Sequence, residues 1–250
     1  MDKIEIPELF KEFEDRILKT VKVSNEITYK KGKTLPWESK LGGCPYMEKV
    51  EEYPKDKDGV PYFFLAQINF EEIQGIEDFP SEGILQFYVK RDDVYGLYEE
   101  DGFVVRYVEK VNNNKENLVE SVPVVEDDEE KFYPPYEYEG KMLFTLRNMP
   151  VSVEDNKFNE VFEGIVFTEN QEKESYEVFD GYGNRVGGYP GFTQGDPRND
   201  KSYDTLLLQL DMDDECGIMF GDSGVANFFI ASDDLKNKDF SKIYYTWDCC

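Results

Sequence analysis

The chain has 250 residues and carries 54 Asp and Glu against 28 Lys and Arg, a formal charge of −26, with no histidine. At this length a core closes without disulfide or metal staples, and a 40% hydrophobic, 15% aromatic composition excludes a disordered chain. The acidity excludes ordinary nucleic-acid and anionic-membrane binding, which need a basic patch. The missing histidine excludes Ser-His-Asp and Cys-His nucleophiles and any zinc site containing His.

The N-terminus (Met1-Asp2-Lys3-Ile4-Glu5-Ile6-Pro7) lacks a basic region followed by an apolar run, so no signal peptide is expected. No stretch approaches the 18 or so apolar residues of a membrane span. A cytoplasmic protein is the expectation. Cys44, Cys216, Cys249 and Cys250 form no C-x-x-C pair and read as free thiols. No metal or cofactor is expected.

In chain order, the spacing of Leu9, Phe10, Phe13, Ile17, Leu18 and Val21 predicts an amphipathic helix over about Pro7–Val21, docked on the protein's own core. From Glu26 the texture is that of strands and turns. Phe63–Phe70, Ile84–Lys90 and Phe103–Glu109 read as strands. The acidic segment Glu116–Glu130, followed by Pro134-Pro135, reads as an exposed connection between two halves. Lys141–Leu146 reads as a strand. Asp155–Phe162 and Glu169–Phe179 read as helices, the second with Tyr176 and Phe179 on one side. Thr205–Asp211, Gly217–Phe220, Val225–Ile230 and Ile243–Trp247 read as strands, and Ser232–Leu235 as a short helical turn capped by Ser232.

Two halves, about 26–115 and 138–250 with a connection over about 116–137, show a weak internal duplication. Leu41-Gly42-Gly43-Cys44-Pro45-Tyr46 matches Val186-Gly187-Gly188-Tyr189-Pro190-Gly191, and Leu65-Ala66-Gln67-Ile68-Asn69 matches Leu207-Leu208-Gln209-Leu210-Asp211. The offset is about 145 at the first pair and about 142 at the second. The fold class expected is mainly β and roll-like, with some α+β character, as a single domain built from two related halves.

Two loops are dense enough in special residues to be candidate sites. Gly221-Asp222-Ser223-Gly224 looks like a serine-protease motif, but no base is present for the serine, and a tight turn with Asp222 and Ser223 bonding nearby amides is the plainer reading. The segment Gly187–Arg198 is a fixed, irregular loop in which Tyr189, Gln194, Asp196 and Arg198 offer stacking, hydrogen bonds and a charge pair. It has no Gly-Lys-Ser/Thr and is not a phosphate loop. Asp211–Glu215 with Asp222 mimics part of a calcium loop, but Cys216 stands where the sharp-turn glycine belongs. Paired carboxylates for glycoside hydrolysis cannot be picked out among 54 acids.

Taken together, Gly42-Gly43-x-Pro45, Leu65–Asn69, Gly188-Tyr189-Pro190 with Gln194-Gly195-Asp196, Leu206–Asp211, Met219-x-Gly221-Asp222-Ser223-Gly224 and Asp239-Phe240-Ser241 resemble the YwqG-like family of bacterial proteins, from about Leu41 to Cys249. The resemblance implies a mainly β, roll-like domain of unknown function with an N-terminal helix. Its members' association with secreted-toxin systems implies immunity roles for some of them. Family members commonly carry His before the Gly-Tyr-Pro segment, where this chain has Asn184-Arg185, and Trp where it has Phe220. The expectation is therefore a non-enzymatic binding protein, plausibly immunity-like, meeting a basic protein partner through its acidic surface. The alternatives are a small-molecule or carbohydrate binder using the Gly188–Arg198 and Gly221–Gly224 loops, and a carboxylate-dependent enzyme.

Overall fold

A computed structural model describes residues 4–125 and 132–250; the acidic run Glu126–Glu130 lies outside the described residues. Among the described residues ten antiparallel strands form one sheet: β1 Lys22–Lys31, β2 Lys40–Leu41, β3 Phe63–Asn69, β4 Ile84–Val89, β5 Phe103–Val108, β6 Gly140–Met149, β7 Arg185–Gly187, β8 Thr205–Leu210, β9 Val225–Ile230 and β10 Tyr244–Asp248. Their order is β10-β9-β8-β7-β1-β6-β2-β3-β4-β5. The sheet curls until its edges meet: the rings of Phe103 on β5 and Tyr245 on β10 lie 5.2 Å apart. The protein is thus mainly β, with a nearly closed, barrel-like sheet. No helix among the described residues is long and apolar enough to cross a membrane.

The strand order reads the same from either end once β1 is matched with β6, β2 with β7, and so on to β5 with β10. β1 and β6 are the centre, paired along their whole length from Lys22↔Met149 to Lys31↔Gly140. Each then pairs with the second strand of the opposite half: β1 with β7, and β6 with β2. The two halves have therefore exchanged their first strands. Both β3 and β8 carry a bulge at the matching place, between Phe64 and Ala66 and between Leu206 and Leu208.

A repeated polar scaffold holds the matching turns. Gln67 is wholly buried; its Nε2 donates to the carbonyls of Pro36 and Glu38, and its Oε1 accepts from the amide of Tyr46. Gln209 does the same with Gly181, Gly183 and Gly191. Gln86 then secures the carbonyl of Tyr46, and Asn227 that of Gly191. These side chains satisfy buried backbone groups that irregular loops cannot pair among themselves. The turns they brace need φ values of +64° and +73° at Gly42 and Gly43, and +74° at both Gly187 and Gly188, a region that a side chain makes costly.

The strands β4 and β9 are buried on both faces, so they read in sequence as continuous apolar runs rather than alternating ones. One face joins the main core, where Phe87 and Phe228 meet at 4.8 Å. The other is covered by aromatic caps: Tyr88 with Tyr62 and Phe64, and Phe229 with Phe192 and Leu206.

A second core lies under the helices. Phe10, Ile17, Phe158, Phe162 and Phe179 pack with Met149, Val151 and Tyr189. The expected N-terminal helix is present but shorter and split: a 3₁₀ turn over Glu8–Phe13 runs into α1, Glu14–Leu18. In a 3₁₀ turn residues i and i+3 eclipse, which brings both Phe10 and Phe13 against Phe167. Two further helices cover the cluster, α2 over Lys157–Val161 and α3 over Glu169–Val178. A capping box between Thr168 and Gln171 starts α3.

Other expectations are corrected. Tyr176 does not share a side with Phe179: it is 64% exposed while Phe179 is buried, because the inward stripe of α3 runs through Gln171 and Ser175, four residues apart. Gly217–Phe220 is no strand, only two isolated bridges. The last short helix, α4 over Ser232–Lys236, is not capped by Ser232, whose amide and hydroxyl both bond to Asp204. Strands β1, β2 and β7 were not separately foreseen; two of them have three residues or fewer.

Candidate functional site

Of the six residues singled out in sequence, the structure gathers some and separates others. Tyr189 is buried in the helical core, its hydroxyl donating to the Thr20 carbonyl at 2.5 Å and its ring lying 4.6 Å below the Lys22 ammonium. Burial raises its phenol above the ordinary range.

Asp196 and Arg198 belong to a buried charge cluster with Asp155. The guanidinium bonds Asp155 at 2.9 Å and Asp196 at 2.5 Å, donates to the Tyr203 carbonyl at 2.9 Å and lies 4.2 Å from the Phe229 ring centre. Burial opposes its charge, but the hydrogen bonds and attraction of the two carboxylates outweigh burial, and the net effect raises its pKa. Its forked donors are occupied, and the cluster ties α2 to the loop after β7.

Gln194 and the Asp222-Ser223 turn converge on the chain's C-terminal end. The Gln194 amide donates to Asp248 and its side chain to the Cys249 carbonyl, both at 2.6 Å. The Asp222 carbonyl accepts from the Cys250 amide at 3.2 Å. Ser223 has φ +58° and closes a tight turn in which the Gly224 amide donates to the Phe220 carbonyl. The Ser223 hydroxyl is 3.5 Å from the Asp222 carboxylate.

Two clefts lie elsewhere, beside the matching glycine turns. One, of about 500 Å³, is lined by Lys22, Ile76, Phe79, Gly187 and Gly188. The other, of about 700 Å³, is lined by Lys33, Lys40, Cys44, Lys115, Tyr136 and Glu139, among others. Its distinctive group is Lys40, only 1% exposed, which donates to the Cys44 carbonyl at 3.0 Å. Burial lowers its pKa to about 8, against the opposing pull of Cys44, Glu139, Glu38 and Glu72. Burial likewise pushes the Cys44 thiol up.

Lys40 is the counterpart of Arg185, also 1% exposed, whose guanidinium donates to the carbonyls of Tyr189 and Tyr182. Sequence reading missed Lys40, although a signal was there: aligning the two Gly-Gly turns sets a basic residue two places before each.

Lys40 carries a stability cost with a defined pH window. Its folded pKa, about 8, is below the unfolded value of about 10.4, so the unfolded chain binds more protons between these values and stability rises there with pH. Lys40→Met should raise the unfolding free energy near neutral pH by about 1–2 kcal/mol. The advantage should shrink between about pH 8 and pH 10. Urea denaturation across that range checks both statements; an advantage that grows with pH contradicts them.

The family model for a domain of unknown function (DUF1963) matches residues 39–249. The chain belongs to that family. No curated protein matches the chain.

Proposed function

We propose that this protein acts by binding, and that its partner is a basic protein met through the acidic helical face. The observation that carries this reading is the solvent side of the helical cover. Glu8, Glu12, Glu169, Glu172, Glu174 and Glu177 are all exposed there, and Gln171 bonds the Leu9 carbonyl, so the two segments are neighbours. Val166, 91% exposed, and Tyr176, 64% exposed, stand among these carboxylates. An acidic field with an aromatic anchor is the composition that steers and then holds a cationic partner. The YwqG-like assignment, with its immunity-like role and a cytoplasmic setting, fits this reading.

The test compares the wild-type protein with Glu172→Lys/Glu174→Lys/Glu177→Lys as bait in a source lysate, followed by association kinetics with the purified captured protein. The expected result is a basic protein whose association rate falls about tenfold or more as salt rises through the physiological range, and which the triple variant fails to hold. An association rate indifferent to both salt and charge reversal overturns the proposal.

A second reading, a carbohydrate or other small molecule held by the Gly188–Arg198 and Gly221–Gly224 loops, draws on Gln194 and Asp222 reaching the same C-terminal segment. Gln194→Ala would then weaken sugar binding in a glycan-array screen without disturbing capture by the helical face.

A further inference from the structure

We propose that the cleft beside β2 is a binding site for a small molecule bearing a carboxylate or phosphate group, with Lys40 receiving that oxyanion. Four observations lead there. The cleft, about 700 Å³, has the size of a metabolite site. Its lining includes Lys40, a residue only 1% exposed, whose ammonium has among the described residues one hydrogen-bond acceptor, the Cys44 carbonyl.

An ammonium has three donors, and a buried charge left short of acceptors is costly. In the other half the matching Arg185 is better supplied, with two backbone carbonyls bound and the Met149 sulfur 3.2 Å away, although its Nε is buried without a partner among the described residues. The fourth observation is the lining itself. Lys33, Lys40 and Lys115 face the cleft against Glu120 and Glu139, a cationic surplus on a chain of charge −26. Tyr136, Leu118 and Val119 supply apolar wall, which suits the carbon body of an organic anion.

The other charged groups around Lys40 are accounted for. Glu38 is paired with Lys141 at 2.6 Å. Glu72 accepts the Ser39 amide. Lys141 is Lys40's register partner on β6. The Cys44 thiol lies near the carbonyls of Pro45 and Val119. Glu139 closes over Gly43, where its carboxyl leaves no room for an added Cβ, and its charge acts on Lys40 through space without an ion pair among the described residues. The site therefore favours an anion that offers several oxygens over a halide.

The ligand would draw Lys40 fully into its charged form, so binding should be linked to its proton. Lys40 titrates at about 8 in the free protein. Affinity should therefore fall about ten- to thirtyfold between about pH 8 and pH 9.5, a range in which neither probe changes its own charge appreciably.

The experiment is calorimetric titration of the full chain with inorganic phosphate and, separately, with citrate, each against sodium chloride of matched ionic strength. The expected result is saturable binding of one probe or both, weakened at least about tenfold in Lys40→Met and lost with rising pH as described. The phosphate and citrate arms separate the two ligand classes. The pH dependence of the wild-type protein is a second readout that needs no variant. No saturable binding of either probe, binding unchanged in Lys40→Met, or affinity independent of pH up to about 9.5 overturns the proposal.

Discussion

Gln209→Leu should lower the free energy of unfolding by about 3–5 kcal/mol. The substitution puts a slightly shorter apolar side chain in a wholly buried position, so most of the volume stays filled. What changes is hydrogen bonding. The amide of Gly191 and the carbonyls of Gly181 and Gly183 lose their partner, and each unpaired buried group costs about 1–3 kcal/mol. Partial access of water to the loop keeps the total below the simple sum. Gln67→Leu should cost a similar amount, because it strands the amide of Tyr46 and the carbonyls of Pro36 and Glu38. Urea denaturation of both variants, with amide exchange at Gly191 and Tyr46, measures the effect. A loss under about 1 kcal/mol in either would mean that the loops re-pair without their glutamine and that the repeated scaffold is incidental.

Arg198→Met should be of comparable size, about 3–5 kcal/mol near neutral pH. Its guanidinium is the shared counter-charge of Asp155 and Asp196, with side chains 8%, 5% and 2% exposed respectively. Removing it leaves two carboxylates buried without a cation, where breaking the pair costs more than the pair contributes. The methionine also gives up the stacking over Phe229.

The deficit has a pH signature. Stranded carboxylates hold protons more tightly in the folded variant than in its unfolded chain, so stability relative to wild type recovers as pH falls. Arg198→Met/Asp155→Asn/Asp196→Asn should regain much of the loss, since it removes the charges with their partner. Thermal denaturation of the three proteins between about pH 4 and pH 8 separates this account from a packing effect, which would be indifferent to pH and to the two asparagines.

The Arg198 cluster also gives a structural role to residues that looked like ligand contacts. Arg198 and Asp196 were attractive in sequence because a charge pair stood in a glycine-rich loop. Their meaning depends on Asp155, which lies far away along the chain and which no local spacing could have supplied. Tyr189 has a similar history: its hydroxyl is spent on Thr20, on the far side of the sequence. Gln194 and Ser223 remain near the surface, and their common neighbour, the Asp248–Cys250 end, became visible only when β10 was placed beside β9.

Much of the architecture was legible from local pattern. The apolar spacing around Phe10 and Ile17 marked a docked helix. The runs at Ile84–Lys90 and Val225–Ile230 marked strands, and the structure shows that both are buried on their two faces. The repeated Gly-Gly turns, and the glutamines at the fifth position of the strands that follow them, Gln67 and Gln209, carried the internal similarity, because both turns need positive φ and both glutamines brace the same kind of loop. Composition alone ruled out histidine chemistry.

Tertiary structure alone decided which strand lies beside which. Periodicity encodes the face of a strand but carries no label for its partner, so nothing local announced that β1 and β6 would trade places between the halves. The same holds for Lys40. In sequence it is one lysine among many, and only the closing of β2 between β3 and β6 buries its ammonium at the floor of a cleft. Burial is a property of the assembled neighbours, and it is burial that gives this group its lowered pKa and leaves its remaining hydrogen-bonding capacity to be met from the cleft.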